Sequence, residues 1–238
     1  MAETPDTLQP IGDSLWLAEG DIVSFYGFPY PTRSVVARLD DGDLWIWSPV
    51  RLTDALRAEV AALGRVTHLV SPNKLHYLYL GEWQEAWPGT KLWGPASTIR
   101  KCDALHFEPA LADEAPPAWR GQIDQFWFRG SKAMDEIVFF HRASRTAIIG
   151  DLSENFSDEF LQEHWGWFSR RIAKLWKITQ PWGYAPLELR ATWFDREPAR
   201  RALRELLAKS PERVVMAHGE WQRGGGRAYL EKAFAWLM

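Results

Sequence analysis

One cysteine, Cys102, stands in 238 residues. A lone thiol cannot close an internal disulfide or build a cysteine-rich zinc site. It has no obvious base nearby in sequence, and it reads as a packing residue. Excess charge is also missing. The 28 Lys and Arg against 31 Asp and Glu give a net charge of −3, too little to draw nucleic acid or an anionic membrane. No apolar run reaches the length of a membrane span. The stretch Met1 to Pro10 is polar and lacks the basic start and apolar run of a signal peptide. Neither nucleic acid nor membrane is therefore expected as a partner, and a cytoplasmic location is the default expectation. Short-period repeats and low-complexity segments are lacking too.

What is abundant is tryptophan, with fifteen residues spread from Trp16 to Trp236. Trp suits half-buried positions where its N–H finds a partner, so these residues read as core and groove lining. Any left on the surface would serve a homodimer. A hydrophobic content of 46% supports a real core, and the length suits one domain over 1–238.

Short β-branched or aromatic runs predict strands at Ser14–Ala18, Ile22–Tyr26, Ser34–Leu39 and Leu44–Trp47, with Asp40-Asp41-Gly42-Asp43 as a hairpin turn. The period then changes. Thr53 caps a helix over Asp54–Leu63, and Gly64 ends it. A strand at Val66–Val70, a helix at Leu80–Trp87 and a strand at Lys91–Trp93 follow, which implies parallel pairing. Residues Phe107–Trp119 read as a connection. Strands return at Ile123–Phe128, Glu136–His141 and Thr146–Ile149. A long amphipathic helix at Phe160–Trp176, a helix at Pro198–Lys209, a strand at Val214–Ala217 and a last helix complete the chain. The two halves, roughly 12–105 and 120–238, share a plan. Two mixed sheets packed face to face with helices outside would explain it.

Two segments stand out. Ile148-Ile149-Gly150-Asp151-Leu152 and Arg213-Val214-Val215-Met216-Ala217-His218-Gly219 are apolar strands, each delivering a potential metal ligand at its C-terminal end. Asp and neutral His ligate zinc, iron or manganese. With these segments, Leu44–Val50 and Val66–Tyr77, the chain resembles the metallo-β-lactamase superfamily. Gly150-Asp151 matches that family's metal-bridging aspartate strand, and His218-Gly219 its late histidine strand. The loop Ser71-Pro72-Asn73-Lys74-Leu75-His76-Tyr77 stands where the family carries HxHxDH. The resemblance implies an α/β (α+β) four-layer αββα sandwich. Within the superfamily the chain looks most like an uncharacterised branch, a domain of unknown function similar to DUF4336, with a degenerate ligand loop. In register, Pro72 and Lys74 take the first two histidine positions, His76 the aspartate and Tyr77 the last histidine. Ser131 takes the position of a further histidine.

Two readings follow. In the first, His76, Asp151 and His218 hold one zinc or iron ion, with Asp151 and His218 also catalytic, in a hydrolase of a small ester, lactone or thioester. In the second, the ammonium of Lys74 replaces the metal and pairs with Asp151, leaving a metal-free binding or scaffold protein. Ser71, Asn73, Lys74 and Ser131 are candidate contacts for a small-molecule ligand. Glu136 is a carboxylate that could join the site. The plainer alternatives stay open: Asp151 capping a turn through Ser153 or Asn155, His218 held by packing, Ser71 and Asn73 closing their own turn.

Overall fold

The computed structural model describes residues 8–238; residues 1–7, most of the polar N-terminal stretch, lie outside that description. Two sheets form the centre. The first has β1 (Leu8–Gly12), β2 (Leu15–Phe25), β3 (Phe28–Arg38), β4 (Asp43–Trp47), β5 (Arg65–Val70) and β6 (Lys91–Trp93), side by side in chain order. The second runs β10 (Arg213–Gly219), β9 (Thr146–Asn155), β8 (Glu136–His141), β7 (Ile123–Phe128). Pairing of β4, β5 and β6 is parallel, as the strand–helix alternation implies. Pairing of β9 with β10 is parallel too.

Strand alternation builds the layers. On β3 and β4, Val35, Ala37, Trp45 and Trp47 face inward, against Ile137, Phe139, Ile148, Val215 and Ala217 of the second sheet. Their neighbours Val36, Leu44 and Ile46 face outward, onto Leu56 and Val60 of α1 (Asp54–Leu63) and Leu80 and Trp83 of α2 (Leu80–Ala86). On the far side, Val138, Ala147, Ile149, Val214 and Met216 meet α6 (Leu187–Ala191), α7 (Glu197–Ala208) and α8 (Gly226–Ala233). Both faces of both sheets are covered, which gives the layer order helix, sheet, sheet, helix. Four tryptophans, Trp45, Trp47, Trp83 and Trp119, are wholly buried.

Local chemistry explains the boundaries. Thr53 accepts the Leu56 N–H at 3.2 Å and starts α1 where the sequence places it. Gly42, at φ +85°, closes the β3–β4 turn, which Asp41 braces by accepting the Asp43 N–H. Several expectations differ: the strands expected at Ser14–Ala18 and Ile22–Tyr26 are one, β2, and neither β1 nor α6 is foreseen. The short helix α3 (Ala96–Lys101) carries no strong period and is not foreseen. The expected helix Phe160–Trp176 is two helices, α4 (Asp158–His164) and α5 (Trp167–Trp176). Between them Trp165 adopts extended backbone, buries its ring beside Phe28, Tyr30 and Phe156, and donates its indole N–H to the Pro29 carbonyl at 2.9 Å. Burying that ring offsets the helical hydrogen bonds lost at the break. The exposed side of α5 is mixed, with Trp167, Phe168 and Leu175 in solvent beside Arg171.

Candidate metal centre

Asp151 does not end its strand. The strand foreseen at Thr146–Ile149 runs on to Asn155 through a bulge. Met216 pairs with Ile149, yet His218 pairs with Glu154, so Ala217 alone faces residues 150–153. The surplus chain on β9 buckles outward and turns Asp151 toward His218. His218 does stand near the end of β10, as expected.

Three side chains converge there. Asp151 Oδ2 lies 3.3 Å from His76 Nε2, and Oδ1 lies 3.2 Å from His218 Nε2. Each residue offers one ligand atom, and the three atoms lie within 4.8 Å of one another. The two imidazole centroids are 5.6 Å apart. His76 comes from the loop between β5 and α2, stacks on Trp47 and shares a 2.7 Å hydrogen bond between Nδ1 and Ser48 Oγ.

His218 is held from the first sheet. Its Nδ1 donates to the Pro31 carbonyl at 2.7 Å, so Nε2 is the nitrogen left for Asp151. Beside it, Arg33 of β3 donates to the carbonyls of Met216 and Gly219 at 2.7 and 2.8 Å, and to Glu19. Gly219 sits at φ +87°, and a Cβ there would meet the Asn155 backbone at 2.4 Å. Only glycine fits beside His218.

Asp151 is braced from behind. Glu136, wholly buried, accepts the Gly150 and Asp151 N–H groups at 2.8 Å each. Asn73 donates its amide to Glu136 at 2.9 Å and to Asp151 Oδ2 at 2.8 Å, while its carbonyl oxygen accepts the Leu75 N–H. Burial, then repulsion from Asp151, pushes Glu136 up to about 7. Burial alone would raise the Asp151 carboxyl, but the two histidines hold it far below the ordinary carboxylate range. For His76, burial opposes charge, yet the attraction and hydrogen bond of Asp151, aided by Glu136, raise the ring above its usual value.

The remaining candidates fall elsewhere. Ser71 donates to the Asn73 carbonyl at 2.7 Å and closes its turn. Asn73 is buried and supports Asp151 instead of facing a ligand. The Ser131 hydroxyl bonds Thr192 and accepts the Ala133 and Met134 N–H groups. Neither serine lines the cavity. Lys74 does line it, but both Asp151 oxygens face histidines, and no ion pair between Lys74 and Asp151 exists among the described residues. Tyr30, Arg33, Ser48 and Glu154 join the site unforeseen; only Glu136, an acid opening the apolar run Ile137–Phe140, left a readable signal.

The triad forms the floor of a cavity of about 820 Å³, walled by Phe25, Tyr30, Leu75, Trp176 and Leu189 among others. Among solved structures, the DIM-1 metallo-β-lactamase exposed to ceftazidime is similar: 16% identical, covering 97% of this chain and 95% of that one, with a TM-score of 0.64. The chain has the metallo-β-lactamase fold. The metallo-β-lactamase from Pontibacter korlensis shares this fold at 14% identity, 97% coverage of each chain and a TM-score of 0.62. So does the metal-soaked Flv1 flavodiiron core from Synechocystis sp. PCC6803, at 13% identity, 97% of this chain, 60% of that one and a TM-score of 0.61. No protein-family model and no curated protein matches the chain. No helix among the described residues is long and apolar enough to cross a membrane.

Proposed function

We propose that the chain is a mononuclear metal-dependent hydrolase in which His76, Asp151 and His218 hold one zinc or iron ion. One observation carries this reading. With Nδ1 committed to the Pro31 carbonyl, His218 turns Nε2, the nitrogen that would ligate an ion, toward a carboxylate oxygen of Asp151 3.2 Å away. A nitrogen and a carboxylate oxygen that close are held together by a proton or a metal ion shared between them. A second imidazole on the other carboxylate oxygen makes a two-histidine, one-carboxylate set, which suits iron or a single zinc with open positions. A metal-soaked protein among the structural neighbours supports the same reading.

When bound, such an ion supplies Lewis acidity to a scissile carbonyl and activates water. The chain's own residues do the rest. Asp151 stays ionised and carries the negative charge of the floor, fixed by the Asn73 amide. His218 and His76 are locked in ring orientation by Pro31 and Ser48. The aromatic walls exclude water and take the apolar part of a substrate. A pocket toward the upper end of the usual small-ligand range of about 300–1,000 Å³ admits a small ester, lactone or thioester. We read Ser71–Tyr77 as a degenerate ligand loop and place the chain in the uncharacterised branch similar to DUF4336.

A panel of aryl esters, thioesters and lactones, assayed with and without chelator, tests the assignment. The expected result is turnover that chelation abolishes and zinc or iron restores. Turnover insensitive to chelator, or none from metal-loaded protein, overturns it.

A further inference from the structure

One helix turns an apolar side to solvent. An ordinary surface helix shows its polar face to water and buries its apolar one. On α5, Trp167, Phe168 and Leu175 are 66%, 62% and 77% exposed. Arg171 and Lys174 stand between them, also exposed. With roughly 3.6 residues per turn, these five side chains fall within about 120° of the helix. The opposite side is already held. Buried Ala173 belongs to a cluster with Phe156, Leu161, Trp165 and Ile178, against which Phe28, Tyr30 and Trp176 pack. Folding has no further use for the outward stripe.

The charge along α5 has one sign. From Trp167 to Lys177 the chain carries Arg170, Arg171, Lys174 and Lys177 and no acid. Lys174 meets Asp158 of α4 at 2.9 Å, an ion pair exposed on both sides and therefore weak. Arg171 lies over the Trp167 ring at 5.7 Å, and Lys177 over the Trp182 ring at 4.1 Å. The net charge of −3 is an average over the whole chain and hides this local excess. Trp176 of the same helix lines the cavity, whose rim carries more exposed apolar residues: Phe25 and Tyr26 at the tip of the β2–β3 hairpin, and Leu78 before α2.

We propose that α5 and this rim dock on an anionic phospholipid surface. Trp167, Phe168 and Leu175 enter the boundary between headgroups and acyl chains, and Arg171, Lys174 and Lys177 meet lipid phosphates. Apolar and aromatic side chains interleaved with Lys and Arg are the composition of a helix lying in that plane. Size argues against a second copy of the chain as occupant. Ten residues span about 15 Å, a stripe of about 150 Å², against about 800 Å² per partner in a stable interface. The other exposed apolar residues border the cavity opening on separate elements, where a rigid partner leaves a gap and a fluid layer conforms. Docking sets the cavity mouth against the lipid. It needs no metal and so stands apart from the hydrolase reading.

Flotation of the full chain with lipid vesicles tests this. Binding is expected to vesicles of phosphatidylcholine mixed with phosphatidylserine, and about tenfold weaker binding to phosphatidylcholine alone and in raised salt. Trp167→Ser combined with Phe168→Ser alters two exposed residues and should lower affinity for the mixed vesicles about tenfold. Arg171→Glu should lower it about tenfold too. Arg201→Glu makes the same charge change at an exposed position of α7 and should leave affinity unchanged. No binding to the mixed vesicles, or an equal loss in Arg171→Glu and Arg201→Glu, overturns the proposal. So does a dimer, seen by light scattering in the unaltered protein, that the double serine variant dissolves, because the stripe then covers a second copy.

Discussion

Nε2 of His218 stands 3.2 Å from Oδ1 of Asp151 because their strands fall out of step between them, Ala217 alone facing residues 150–153. A regular parallel ladder would set the next residues of β9 and β10 side by side with alternating directions. The bulge frees Asp151 from that alternation. Whatever holds the bulge therefore holds the site, and Glu136 is that group.

Glu136→Gln replaces an acceptor of three N–H groups by an amide that can accept at only one atom and turns a donor toward another donor. Buried N–H groups lose their partner. The expected cost is about 2–4 kcal/mol, from one to two unsatisfied buried groups. Calorimetric unfolding checks it; a melting temperature unchanged from the wild type would show that the bulge holds itself.

Gly150→Ala presses on the same brace. An added Cβ would lie 2.8 Å from Glu136 Oε2 and 3.0 Å from Asn73 Nδ2, and neither atom can give without breaking its hydrogen bonds. A loss of about 1–3 kcal/mol is expected, with weakened metal binding. Binding of cobalt followed by its visible absorption would register the second effect, and a wild-type spectrum and affinity would refute it.

Arg33 reaches from the first sheet to grip the backbone on both sides of His218. Arg33→Met keeps the length and removes the donors. The fold should survive, because the inter-sheet core is apolar, while metal affinity falls about 10- to 100-fold, as for other residues that orient a ligand. Competition with a chromophoric chelator measures it.

His141 gives the acid side of stability. Burial lowers its pKa to about 4, against the ordinary 6.5, with Asp13 and Asp40 opposing weakly. Its Nδ1 pairs with the Ser144 hydroxyl at 2.8 Å. The unfolded chain binds the proton first, so this contribution is whole above about 6.5 and drains away as pH falls toward about 4. The drained amount is about 3 kcal/mol at most. A His141→Gln protein should lose less stability than the wild type between those limits; parallel melting curves across that range would contradict the shift.

Much of the frame was legible. Period-two runs marked the strands, and Thr53 with Gly64 marked α1 to the residue. The three potential ligands could be read from strand ends and a loop, and the structure does bring His76, Asp151 and His218 together. The rest hid in tertiary context. The sequence places Asp151 at the end of its strand, and only the mismatch with β10 shows that the strand bulges there and runs on. Trp165 breaks a helix because distant Phe28 and Tyr30 offer its ring a place. Ser71 and Ser131 look like ligand contacts until their hydroxyls are seen bound within their own turns. Lys74 shares the loop with His76, but backbone geometry gives Asp151 to the histidine.

The central claim is that His76, Asp151 and His218 bind one ion. Elemental analysis by plasma mass spectrometry, on wild type beside His218→Ala and Asp151→Ala, tests it most directly. The account predicts close to one zinc or iron per chain in the wild type and its loss in both variants, with the fold intact by circular dichroism. A wild type that stays free of metal after reconstitution with zinc and iron, or variants that keep a full complement, would contradict it.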